Sequence, residues 1–150
     1  MGKFAAQVND EIKNAMRSKD EIKLGVLRMV KTAMNNAAIA KSKNELDDAE
    51  ELDVLQKQAK QRRESMESFD KGGRAELAAK EKAELAVIEA YLPKQLSDDE
   101  IKAICQGVIT KTGANTAAQM GIIMKELMPL VKGKADGGRV QAILKSFLIN

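Results

Sequence analysis

Tyr91-Leu92-Pro93-Lys94-Gln95-Leu96-Ser97-Asp98-Asp99-Glu100 holds a helix stop and a helix start side by side. Pro93 has no N–H to donate and clashes with the turn before it, so a helix arriving from upstream ends there. Ser97 and Glu100 have the spacing of a capping box, in which each side chain takes up the other residue's exposed backbone donor. Helical patterns are long before this stretch and short after it. The change predicts an all-α fold in two parts: an N-terminal bundle of long helices over 1–93 and a small C-terminal three-helix domain over 94–150.

Working upstream, the segment Arg74 to about Tyr91 presents Leu77, Ala78, Leu85, Ile88 and Leu92 at helical spacing. Gly72-Gly73 separates it from a helix over about Leu46 to Phe69. There Leu52, Leu55, Ala59, Met66 and Phe69 follow a heptad-like pattern broken by Arg62 and Arg63. Lys41–Glu45 is a polar connection. Before it, Asp20 caps a helix with a stripe of Leu24, Leu27, Val30 and Met34, widened by Val26, Met29 and Ala33. The first helix carries Phe4, Val8, Ile12 and Ala15/Met16. Short joints between the last three long helices predict antiparallel packing.

Working downstream, Ile101, Ile104, Cys105 and Val108 share one face of a helix that ends at Gly113. A second helix begins near Asn115 or Thr116, uses Met120, Ile123, Met124 and Leu127, and stops before Pro129. The last starts at Asp136 and buries Val140, Ile143, Leu144, Phe147 and Leu148.

Composition agrees with helices throughout. Aromatic residues make up only 3% of the chain, while Ala, Leu, Lys, Glu, Gln and Met abound. No apolar run approaches the roughly 20 residues of a membrane span, and no signal-peptide pattern opens the chain. Cys105 is alone and cannot form an internal disulfide. A cytoplasmic location is the expectation these features carry.

Histidine is absent, which excludes Ser-His-Asp and Cys-His catalysis and every zinc site built on imidazole. Cys105, on an apolar face, reads as an inert buried thiol. The acids Asp47, Asp48, Glu50, Glu51 and Asp53 lack the glycine and ligand spacing of a calcium loop. In the first turns of a helix they complement its positive end. Arg62-Arg63 reads as one partly buried stem beside a solvated charge. No catalytic residue, metal site or cofactor is expected.

Charge marks one place for binding. Residues 1–93 hold 17 Lys/Arg against 17 Asp/Glu, whereas 94–150 hold 8 against 5. The excess frames Lys132-Gly133-Lys134-Ala135-Asp136-Gly137-Gly138-Arg139. Gly137 and Gly138 leave the first turn of the last helix uncovered, where unpaired N–H groups and the helix dipole favour an anion. Lys132, Lys134 and Arg139 add cations around it, a set suited to nucleic-acid phosphates. The competing reading is a tight loop in which Asp136 caps the helix.

The Tyr91–Ser97 stretch, Met120-Gly121, Met128-Pro129, Lys132–Gly137 and the upstream Arg28-Met29-Val30-Lys31 together resemble the GatB/YqeY family, as a stand-alone member. Gln119 departs from the acidic residue that family often has before Met-Gly. The resemblance covers essentially the full chain. It implies an N-terminal helical bundle and a C-terminal domain related to the tail of GatB and GatE, subunits of glutamine-dependent amidotransferases that correct mischarged tRNA. It further implies an accessory protein without catalysis of its own, with tRNA, amidotransferase or aminoacyl-tRNA synthetase partners. Carbon–nitrogen ligase with glutamine as amido donor is a family-level label, a reaction that similarity to the tail alone does not warrant. The alternative is a protein-interaction module with no RNA role, for which Met120, Met124 and Met128 would provide an adaptable surface.

Overall fold

The computed structural model describes residues 2–149. Among these the chain is all-α: α1 Lys3–Ser18, α2 Glu21–Ala40, α3 Asp48–Lys71, α4 Ala75–Glu89, α5 Asp98–Thr112, a 3-10 turn Ala117–Gln119, α6 Met120–Val131 and α7 Gly137–Lys145. The only β feature among the described residues is one isolated bridge between Thr116 and Ile149. Packing gathers the chain into two compact units, Met1–Pro93 and Lys94–Asn150.

In the first unit Asp20 caps α2 by accepting from the Lys23 amide at 3.1 Å. One arc of α2 (Val26, Leu27, Val30, Met34, Ala38) is buried against Leu55 and Ala59 of α3 and Leu85 and Ile88 of α4. Each fully buried Leu or Ile contributes about 1.5–3 kcal/mol. Met29 and Leu77 leave the predicted stripes, 50% and 38% exposed. At 100° per residue, Met29 lies about 120° round the helix from the centre of the buried arc. Leu46 is buried but precedes α3, because Asp47 and Glu50 form a capping box and start the helix at Asp48. Arg62 fills its heptad position. Buried, it donates to Gln58 Oε1 at 2.9 Å and lies 3.5 Å from the Glu84 carboxylate. Arg63 pairs with Glu89 at 3.4 Å. Of the two glycines ending α3, only Gly73 is left-handed, at φ +72.

The second unit buries Ile101, Cys105, Ile123, Leu127, Val131, Val140 and Leu144 in one cluster, with Ile143, Phe147 and Leu148 half-buried around it. The Ser97–Glu100 capping box forms, with bonds of 3.2 and 3.3 Å, and left-handed Gly113 closes α5. Pro129 does not stop α6; it lies inside the last turn, and the helix runs on to Val131. Running past Pro129 keeps Val131 fully buried, which offsets part of the cost of the backbone bond that proline cannot make. Gln119 gains a role that its departure from the family pattern concealed. Its Oε1 accepts from the Asn115 amide, the Thr116 amide and the Thr116 hydroxyl at 3.0–3.3 Å, fixing the start of the 3-10 turn.

Candidate functional site

The Lys132–Asp136 loop winds tightly over the end of α6. The Val131 carbonyl accepts from the Lys134 and Ala135 amides at 2.9 and 3.1 Å, while Ala135 is buried. Gly133 is buried too, with φ +81. A side chain there would meet both the left-handed penalty and the packed interior. The carbonyls of Gly133 and Lys134 face the segment before α5: Gln95 Nε2 donates to the first at 3.0 Å and the Leu96 amide to the second at 2.8 Å. The loop is thus fastened by its backbone, and the side chains of Lys132 and Lys134 are exposed.

Asp136 takes the N-cap position of α7 with extended backbone, but its side chain makes no capping hydrogen bond. Acidic residues are absent from the first turn of α7. Gly137 and Gly138 lie in that turn, neither at positive φ. Their small size, not special backbone geometry, is what they supply. Arg139 is differently placed from the two lysines. Its Nε and Nη2 both donate to Asp98 Oδ1, at 2.7 and 2.6 Å, joining the first turn of α7 to the first residue of α5.

Sequence reasoning missed Gly133, whose φ carries the loop, and Asp98, which occupies Arg139. The glycine was in view between two lysines, but a loop glycine reveals its φ only through its structure. Asp98 lies 41 residues from its partner. Elsewhere, burial pushes the Cys105 thiol up from its ordinary pKa of 9.0, as an inert core cysteine requires. Among the described residues no three His, Cys, Asp or Glu converge as a metal site, and no helix is long and apolar enough to cross a membrane.

The acidic cluster at the start of α3 does more than complement its own helix. Glu50 bonds Lys41 and Lys43 at 2.7 and 2.8 Å, whereas Asp48 and Glu51 turn to α1. Asp48 accepts from the Lys3 amide at 2.9 Å, and buried Glu51 accepts from the Phe4 and Ala5 amides at 3.1 and 3.3 Å.

The model of the family described as Yqey-like protein matches residues 5–148, nearly the whole chain. The chain belongs to the YqeY-like family. Relatives of this YqeY-like chain include the protein named "Altered inheritance of mitochondria protein 41, mitochondrial" in several fungi. The Pyrenophora tritici-repentis protein is 30% identical over 83% of this chain and 69% of its own length. One from Saccharomyces cerevisiae is 28% identical over 83% and 68%. One from Eremothecium gossypii is 34% identical over 58% of this chain; the match spans about half, 48%, of that relative. These names overturn the cytoplasmic expectation. Neither a lone cysteine nor the length of the helices distinguishes one compartment from another.

Proposed function

We propose that the second unit of this YqeY-like chain, 94–150, is a separable domain that binds tRNA phosphates with Lys132, Lys134 and the amide end of α7. In this reading Gly137 and Gly138 let a phosphate approach the backbone, and Arg139 joins the contact when it leaves Asp98. The chain serves an amidotransferase or aminoacyl-tRNA synthetase assembly as a holder of tRNA. The nucleophile and ATP chemistry of a carbon–nitrogen ligase using glutamine belong to its partners. The names of the fungal relatives support a mitochondrial setting for that work.

The supporting observation is the combination of two exposed lysines on a backbone-fastened loop with a helix start whose first two residues, Gly137 and Gly138, carry no side chain. Such an end attracts anions, and lysines make it selective for polyanions over single charges. Contacts of this kind ignore base sequence and weaken steeply with salt, because binding releases condensed counterions.

The test is a tRNA titration at several salt concentrations with the parent chain and a Lys132→Ala/Lys134→Ala variant. Each lost phosphate contact lowers the slope of log affinity against log salt by about 0.7–0.9, so the variant's slope falls by about 1.5. Equal affinity and slope for the two proteins defeats the assignment.

A second reading has its own support. Met120, Met124 and Met128 pack against the core, but Ile122 and Leu130 on α6 are 56% and 51% exposed. An interaction module with no RNA role would use that face. An Ile122→Glu/Leu130→Glu variant that leaves tRNA titration unchanged but no longer joins a synthetase complex would favour it.

A further inference from the structure

We propose that α1 is a releasable latch, held shut at its N-terminus by carboxylates of α3 and hinged at Lys19. The closing contact lies between parts of the chain more than forty residues apart. Asp48 takes the Lys3 amide, and Glu51 takes those of Phe4 and Ala5. Gly2, at the N-cap position, makes no side-chain cap of its own. The carboxylates therefore supply the acceptors that a local capping residue would. The fit allows nothing larger than glycine beside it, since a Cβ on Gly2 would collide with the Glu51 carboxylate.

The rest of α1 is held more loosely than its neighbours. Its buried residues are Val8 and Ala15, against five in α2, and Met16 is 55% exposed. A groove of about 170 Å³, open to solvent beside exposed Lys31, Asn35 and Asn44, runs along its seam, where Ala5, Val8 and Asn9 face Met34, Ala38 and Leu46. At the other end Lys19 is left-handed at φ +58, a conformation unfavourable for a residue with a Cβ. A clamp, an incomplete seam and a strained joint thus occur on one helix. Elements with few buried contacts are the ones that open below the global unfolding free energy. Opening α1 would widen that groove and uncover the apolar wall formed by Met34, Ala38 and Leu46.

Hydrogen exchange on the full chain tests the latch with two variants that leave the apolar core untouched. Glu51→Gln keeps the shape but removes the charge and turns one of the two acceptor oxygens into a donor, and Gly2→Ala pushes the carboxylate away. Both should speed exchange of the α1 amides by about tenfold or more while α3 and α4 amides keep the parent rates. Unchanged α1 exchange, or acceleration of α1 to α4 together, would overturn the latch. A third measurement does not depend on either variant's folding. In the parent background a thiol introduced by Ala15→Cys should react well before one introduced by Ala59→Cys, which lies fully buried on α3 in the same unit. Reaction of the two thiols at one rate, that of global unfolding, refutes the proposal.

Discussion

Two helix N-termini in this molecule face opposite surroundings. At α1 the exposed amides of Lys3, Phe4 and Ala5 meet carboxylates brought from α3. At α7 the N-cap carboxylate makes no capping bond, and lysines precede the turn. The backbone physics at the two ends is the same: unpaired donors and the positive end of a dipole. At the first the chain supplies its own anion and fastens a helix. At the second it places Lys132 and Lys134 before the turn, beside the Asp136 N-cap and the Arg139–Asp98 pair. The difference separates a structural end from the end proposed to bind, without any appeal to catalytic residues.

The loop before α7 gives the most forceful way to break this comparison. Gly133→Ala puts a Cβ on a buried, left-handed residue. The penalty should be about 1–2 kcal/mol from backbone strain, with more from crowding. Denaturant unfolding of the second unit should shift to lower concentration, and tRNA affinity should fall with the lysines displaced. A variant with parent stability would mean that Gly133 does not set the loop.

Asp98 provides a gentler probe with the opposite sign. Its carboxylate is an internal anion bound to the only arginine near α7's first turn, although it is itself 65% exposed. An exposed pair of this kind is worth about 0–1 kcal/mol, so a phosphate can displace it. Asp98→Asn should therefore tighten tRNA binding several-fold and steepen the salt dependence by about one contact. Weaker binding would show instead that Asp98 holds Arg139 in position for the ligand.

The contrast also explains what could be read from sequence. Local signals were legible: Asp20 as a cap, the Ser97–Glu100 box and Gly113 as a terminator all act within one turn. The two cores followed from helical spacing. Met29 was misread because the width of a buried arc depends on which helices face it, and those come from elsewhere in the chain. Pro129 was misread because a rule about one residue leaves out the packing that buries Val131 two positions later. Glu51 was taken as a complement to its own helix, but its partners lie 46–47 residues away, and the Arg139 that pairs with Asp98 lies 41 residues from it. Of the candidate site, exposed Lys132 and Lys134 were legible as loop cations. The pairing of Arg139 required the fold.

The smallest expected effect compares capping boxes rather than helix ends. Glu50 and Glu100 each return a carboxylate to their N-cap amide, Asp47 and Ser97 respectively. Glu50 also bonds Lys41 and Lys43; those bonds, Lys41's first, with the Asp47 amide next, lower its pKa from 4.5 to about 2. In Glu100 the lowering comes first from the Ser97 backbone and then from its side chain. A depressed carboxyl pKa stabilises the fold above the ordinary carboxylate range, and that contribution disappears as pH falls through the folded value. For Glu50 the loss therefore occurs between about pH 4.5 and 2. Carboxyl NMR titration should place the Glu50 midpoint near 2, and Lys41→Ala/Lys43→Ala should return it toward 4.5 while Glu100 stays where it was. If the double variant leaves the Glu50 midpoint unmoved, the helix end and the Asp47 amide alone hold that carboxylate. The lysines of the Lys41–Glu45 connection would then be solvated charges rather than part of the α2–α3 joint.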